Sequence, residues 1–162
     1  MYELERPEIC SIGRAMEILG ERWNFLILRE CFYGVRRFSD MQRNLGIARN
    51  ILSTRLQALV RHGILERQRY CDEPERYEYR LTAAGRDLYP AVVTIMRWGD
   101  THLCEPHGPP VVLRHVCGHE AEPVLVCDHC RAPLHPHDVT PEPGPGARAE
   151  APRAEPLAAS GA

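Results

Sequence analysis

Cysteine and histidine crowd one short stretch of this 162-residue chain, where Cys117-Gly-His119 is followed by Cys127-Asp-His-Cys130. Thiolate sulfur and imidazole nitrogen are donors that a tetrahedral zinc ion takes. A Cys-x-x-Cys spacing lets two sulfurs grip one ion, and Cys-x-His can supply the second pair. Cys117, His119, Cys127 and Cys130 are therefore read as the ligands of one zinc, with His115 and His129 as spare candidates. The stretch has few large apolar residues, namely Val116, Val124, Leu125, Val126 and Leu134, too few for a core. Metal binding, on the order of 10 kcal/mol apparent for structural zinc, would supply the missing stability. Four protein ligands leave no open position for a substrate water, so the site reads as structural rather than catalytic. Two competing readings stay open: a redox dithiol at Cys127 and Cys130, and unliganded cysteines in a loose extension.

A second chemistry lies in Ala48 to Gly63. Leu52, Leu56, Leu59 and Val60 recur at the spacing of one buried helical stripe. At about 100° per residue, Asn50, Thr54, Gln57 and Arg61 fall opposite that stripe, with Arg49, Ser53 and Arg55 on its flanks. That face carries no acid. Its amide, hydroxyl and guanidinium groups hydrogen-bond base edges and phosphate oxygens, whereas carboxylates would be repelled by a polyanion. It reads as a recognition helix, against the plainer alternative of a solvated polar face.

Net charge is −2, which excludes a globally basic chain. Charge is informative locally instead: Arg36, Arg37, Arg43, Arg49, Arg55, Arg61, Arg67 and Arg69 face only Asp40 and Glu66 over the same span. A basic segment inside a neutral chain is the footprint of a nucleic-acid reader. No Ser/His/Asp arrangement, phosphate-binding glycine loop or His-Glu-x-x-His motif is present, so an enzyme is not expected. Met1 to Pro7 is charged and reads as no secretory signal. No apolar run approaches the ~20 residues of a membrane span. Seven cysteines, an odd number, favour a reducing cytoplasm over a disulfide framework. Every basic side chain is Arg, and the tail is rich in Ala, Pro and Gly, as in a GC-rich bacterial genome.

The elements that must position these groups can be read in order. Pro7 to Gly20 is a first helix, with Pro near its first position and Gly20 as its C-cap. Trp23 to Tyr33 is a more completely apolar second helix, closed by Gly34. Ser39-Asp-Met-Gln42 has the form of a capping box and opens a short helix through Leu45. Gly46 then turns the chain into the recognition helix, which is the helix-turn-helix pattern. Ile64 to Tyr70 and the alternating Arg76 to Leu81 form a hairpin directly afterwards, the wing of a winged helix. Thr82 caps a last long helix reaching Leu103, with Pro90 as a kink point and Leu88, Val92, Ile95 and Gly99 on one side. Val93, Met96 and Trp98 spread its apolar surface further, which is explained if a partner covers it.

The fold class is α+β, mainly α: a winged helix-turn-helix with a long C-terminal dimerisation helix, a zinc-ribbon-like knuckle and a disordered tail. The boundaries are 1–105 for the DNA-binding and dimerisation domain and 106–113 for a linker. They continue as 114–139 for the knuckle and 140–162 for a tail too poor in apolar residues to offset its ordering entropy.

With the recognition helix and wing in place, the chain resembles the HxlR-type winged helix-turn-helix transcriptional regulators. The resemblance rests on Cys10, Leu19-Gly-Glu-Arg-Trp23, Leu28-Arg-Glu30, Arg37-Phe-Ser39, Leu52-Ser-x-Arg-Leu56, Gly63-Ile-Leu-Glu66 and Tyr77-x-Tyr-x-Leu-Thr-x-x-Gly85. It implies a bacterial homodimer that binds double-stranded DNA, with its first and last helices at the dimer interface. It also implies a recognition helix in the major groove and a wing on the backbone or minor groove. Carried over by position, Arg49, Asn50, Ser53 and Arg55 become recognition-helix contacts, and Arg69 and Arg76 become wing contacts. Thr54 and Gln57 on the same helix face, and Arg37 and Ser39 before it, complete the expected DNA-binding set. Ala48 replaces the usual capping Ser or Asn, which leaves the contact register open by one residue.

Some relatives sense oxidants or electrophiles with a cysteine at the Cys10 position. Here the helix macrodipole and Arg6 or Arg14 favour the thiolate, while Glu8 opposes it. The alternative for Cys10 is a small buried residue at the dimer interface. Cys31 is expected in the core, and Cys71 and Cys104 at the surface. Response to an oxidant, electrophile or other small molecule is the corresponding effector expectation. From other functional classes, a winged-helix protein-interaction module and a zinc or dithiol enzyme remain the alternatives.

Overall fold

The computed structural model describes residues 10–103, 106–142, 144 and 145. Six helices and one two-stranded sheet run in order: α1 (Ser11–Leu19), α2 (Arg22–Phe32), α3 (Phe38–Leu45), α4 (Arg49–Arg61), β1 (Leu65–Cys71), β2 (Arg76–Leu81), α5 (Ala83–Arg86) and α6 (Tyr89–His102). This is the expected winged helix-turn-helix, α+β and mainly helical. The proline at the start of the first helix, Cys104 and most of the expected disordered tail lie outside the described residues.

The core forms where the apolar stripes of α2 and α4 meet α3 and the root of the wing. Ile27, Met41, Leu52, Leu56 and Leu59 are completely buried there, and Ile47 and Leu65 nearly so. The recognition-helix stripe is thus where periodicity put it, with Val60 half-buried at its edge. One carboxylate enters this interior. Glu30 is 4% exposed and accepts hydrogen bonds from Arg29 and from the Asn44 side chain of α3, both at 2.7 Å. Each carboxylate oxygen has a donor, which is the condition for burying such a group. Beside it Cys31 is half-buried and packed against the core, as expected, and burial and then the Glu30 charge push its thiol up to about 12.

Gly46 closes α3 in the left-handed region at φ 61°, the sharp turn that sends the chain into α4. The wing is antiparallel and in register from Leu65↔Leu81 to Arg69↔Tyr77, then slips by a residue before Cys71↔Arg76. Thr82 caps as expected: its hydroxyl accepts from the Gly85 N–H at 3.1 Å.

Four expectations need correction. Ser39 is not a cap, because α3 starts two residues earlier than a Ser39 cap requires and its N-cap is Arg37. A bridge from Arg37 to Glu78 of the wing holds the chain extended up to that point, so tertiary pairing decides the start. Pro90 does not kink one long helix. It lies in the first turn of a separate α6, where the N–H it lacks has no helical partner to find. The break at Asp87 and Leu88 shifts the phase of α6 relative to a continuous helix, so Val93 is its buried residue while Ile95 is 53% exposed. Finally, Val124 to Val126, whose apolar run between the two Cys/His pairs reads as a short strand, forms no ladder. Isolated bridges join Arg114 to Glu120 and Val126 to Pro133, and the three apolar side chains are exposed.

The segment 106–113 does not hang free of α6. Leu113 is half-buried in a cleft with Phe32, Tyr33 and Val93. Arg97 of α6 donates to the Pro123 carbonyl at 2.8 Å and pairs with Glu122 at 3.6 Å. Among the described residues no helix is long and apolar enough to cross a membrane.

Candidate nucleic-acid interface

The buried side of α4 fixes what its other side presents. With Leu52, Leu56 and Leu59 facing inward, Arg49, Asn50, Thr54, Gln57 and Arg61 are exposed in one band, and Ser53 is half-buried beside them. The helix contains no acid from Arg49 to Arg61. Ala48 is its N-cap in extended geometry and gives no side-chain cap, so the amide groups of the first turn stay open to a phosphate. Arg49 lies with its guanidinium 5.5 Å from the ring centre of Phe38, which steadies it at this end. The Thr54 hydroxyl donates to the Asn50 carbonyl at 3.0 Å.

The wing divides the remaining arginines by what they already hold. Arg69 is engaged with Asp72 and Glu75 at the tip, so its charge is largely compensated. Arg76 is exposed at the start of β2. Arg37 lies 4.9 Å over the Tyr70 ring and so stands between α3 and the wing, with Ser39 exposed in the first turn of α3. Arg67 stacks 3.4 Å over Tyr77. A cleft of about 410 Å³ opens between α4 and the sheet, lined by Ser53, Gln57, Arg61, Arg67 and Tyr79. Two guanidinium groups on either side of a cleft beside the reading face are suited to a phosphate. In the sequence Arg61 and Arg67 belong to the basic run but not to the expected contacts. The wing register, which pairs Arg67 with Tyr79, brings Arg67 to the cleft that Arg61 also lines.

Arg55 is placed differently from the other expected contacts. Its side chain is 27% exposed and pairs with Glu21 at 3.5 Å, tying α4 to the turn between α1 and α2. Contact with DNA would require giving up that pair.

The cysteines are dispersed. Cys10 is the half-buried N-cap of α1. Cys71 is half-buried rather than exposed, its thiol donating to the Glu73 carbonyl at 3.6 Å. In the C-terminal stretch, Cys117 meets His115 and not His119, with Nδ1 and Sγ 3.1 Å apart. Cys127 and Cys130 are neighbours, and the backbone N–H groups of Cys130 and His129, followed by the Cys130 side chain, lower the pKa of the Cys127 thiol. Cys117, His119, Cys127 and Cys130 are not brought together: among the described residues no three His, Cys, Asp or Glu side chains surround a common point.

Known proteins agree with this geometry. The family model described as HxlR-like helix-turn-helix matches residues 18–107. An uncharacterized HTH-type transcriptional regulator of Mycobacterium tuberculosis, Rv3095, is 56% identical over 141 residues, covering 86% of this chain and 89% of its own. The crystal structure of PA1607, a protein put forward as a transcription factor, superposes with a TM-score of 0.75 at 32% identity. That match covers 82% of this chain and 94% of PA1607, more than residues 1–107 alone can supply, so the likeness extends past the family model. The reduced form of the transcriptional regulator YodB from B. subtilis gives a TM-score of 0.51 at 32% identity, covering 60% of this chain and 96% of its own. An acid-free reading helix, a basic cleft beside the wing and these relatives together make the chain a DNA-binding transcriptional regulator rather than an enzyme, and it belongs to the HxlR-like helix-turn-helix family.

Proposed function

We propose that this regulator works in the cytoplasm as a homodimer, inserting α4 into the major groove of each half-site. Arg49, Asn50, Thr54 and Gln57 read base edges, Arg61 and Arg67 hold the backbone from the cleft, and Arg37, Ser39, Ser53 and Arg76 contact flanking phosphates. The observation that carries this reading is the exposed, acid-free band of α4. Arg49→Ala and Asn50→Ala should each weaken operator binding by about 1–3 kcal/mol, the worth of one base contact. Fluorescence anisotropy at fixed salt on selected genomic fragments checks this, with circular dichroism to show both variants folded. Wild-type affinity in both would remove α4 from base reading. Affinity should also fall steeply with added salt through counterion release, which a protein-docking module would not show.

The second copy is proposed to cover α1 and α6. Ile12 (71%), Ile95 (53%) and Trp98 (57%) are exposed, more apolar surface than solvent-facing helices usually carry. Ile95 and Trp98, rather than the buried Val93, supply the surplus on α6. A nearly all-apolar cleft of about 200 Å³ between α2 and α6, lined by Phe25, Leu26, Val92 and Ile95, gives a partner side chain a seat. Light scattering at micromolar concentration should report two subunits for the wild type and one for the double variant Ile95→Asp/Trp98→Asp. A monomeric wild type would refute the dimer.

Response to an oxidant or electrophile through Cys10 is proposed on its half-buried place at the start of α1. A structural neighbour at 28% identity, HypR, is a redox regulator solved in reduced form. The anisotropy titration repeated with diamide, on wild type and Cys10→Ser, reads this: equal responses would leave Cys10 as a packing residue.

A further inference from the structure

From residue 106 onward no described side chain is buried, and Val116 is 98% exposed. Order here resides in two tight turns. In the first, the His115 N–H donates to the His119 carbonyl and the Gly118 N–H to the His115 carbonyl, both at 2.9 Å. In the second, the Cys127 N–H donates to the Ala132 carbonyl and the Arg131 N–H to the Cys127 carbonyl, again at 2.9 Å.

The two turns share a plan. Cys117 stands immediately before Gly118 at φ 89°, and Cys130 immediately before Arg131 at φ 61°. Arg131 is the one non-glycine with positive φ among the described residues, a conformation L side chains avoid. Each turn also brings a second soft donor onto its cysteine. The Cys117 N–H points to His115 Nδ1 at 3.3 Å, and that nitrogen is 3.1 Å from Cys117 Sγ. In the other turn the Arg131 N–H bond to the Cys127 carbonyl folds Cys127 and Cys130 into one tight loop. His119, in contrast, contributes its carbonyl to closing the first turn.

We propose that these turns are the two halves of one structural zinc site whose ligands are His115, Cys117, Cys127 and Cys130. His115 takes the place that spacing alone gave to His119. Bond lengths of about 2.3 Å to sulfur and 2.0–2.1 Å to nitrogen, at a tetrahedral angle, set the S···N edge of such a site at about 3.6 Å. The His115–Cys117 pair is already within about half an ångström of that edge. The ion's task is to bring together two preformed pairs, replacing the core that this stretch lacks. Because Arg97 fastens Pro123 and Glu122, which lie between the two turns, closing the site would also brace the extension against α6. The proposal does not depend on how α4 reads DNA.

The full-length chain, expressed with zinc supplied, should contain one zinc per chain by elemental analysis. Exchanged for cobalt(II), it should show tetrahedral ligand-field bands and thiolate charge transfer. His115→Ala should lower zinc affinity at least tenfold in a chelator competition and alter the cobalt spectrum, while His119→Ala leaves both unchanged. His115→Cys should restore tight binding with a four-sulfur spectrum, a rescue that a merely structural role for His115 would not give. Absence of stoichiometric metal from the wild type overturns the proposal. So does loss of metal in His119→Ala, or an unchanged affinity in His115→Ala.

Discussion

Leu56→Ala is expected to cost the DNA-binding domain about 2–5 kcal/mol, the usual range for truncating a fully buried leucine. Leu56 is completely buried at the junction of α2, α3, α4 and the wing root, among Ile27, Met41, Leu52, Leu59 and Leu65. Ile27, Met41 and Leu65 come from three other elements, so the cavity cannot be closed by moving one side chain. Against a typical total of about 5–15 kcal/mol, the loss takes a large share of the stability. Operator binding should weaken with it, because the helix that carries the reading face loses its seat. Urea unfolding monitored by circular dichroism, at one fixed protein concentration, would show a lower midpoint with an unchanged slope. Ile51→Ala is the comparison, since that side chain is 37% exposed on the same helix. It should stay within about 0.5 kcal/mol of wild type. Equal effects of the two substitutions would mean that the buried stripe has been misassigned.

That stripe was legible because its information is local. Leu52, Leu56 and Leu59 recur at helical spacing, Gly46 marks a left-handed turn, and Tyr77, Tyr79 and Leu81 alternate with polar residues along β2. Thr82 could be read as a cap for the same reason, since its partner is three residues away. Where the deciding contact is distant in sequence, the reading fails. Arg55 looks like its neighbours on α4 until Glu21, 34 positions earlier, is found beside it. Glu30 looks like a surface acid until Asn44 and Arg29 are seen to satisfy it in the interior. Ser39 has the right spacing for a capping box, but the bridge from Arg37 to Glu78 starts the helix two residues earlier. That Cys117 sits against His115 and not His119 is illegible for the same reason. Both lie two residues from Cys117, and only the direction in which the turn closes separates them.

Gly85→Ala is expected to destabilise the junction of wing and helices by about 1–3 kcal/mol or more, as an overpacked interior does. Helix propensity argues for the opposite sign, since alanine is favoured over glycine by about 1 kcal/mol inside a helix. Space decides against propensity here. Gly85 is buried in α5, and a Cβ on it would overlap the backbone carbonyl of Ile64 and come within 3.1 Å of a Leu81 methyl. The first of these neighbours cannot rotate away, because it is main chain. Nor can it shift freely, because the Ile64 carbonyl also accepts the Thr82 N–H at 3.1 Å, and the Thr82 hydroxyl donates to the Gly63 carbonyl at 2.6 Å. Gly63 and Ile64 are the residues through which α4 passes into β1, so relieving the clash must move the wing relative to the recognition helix. Both stability and DNA affinity should therefore fall, and the affinity loss should persist at temperatures where the variant is still folded. Urea unfolding paired with anisotropy on the same operator fragment separates the two effects. A variant as stable as wild type, or more stable by the margin that propensity predicts, would show that α5 does not pack on Ile64.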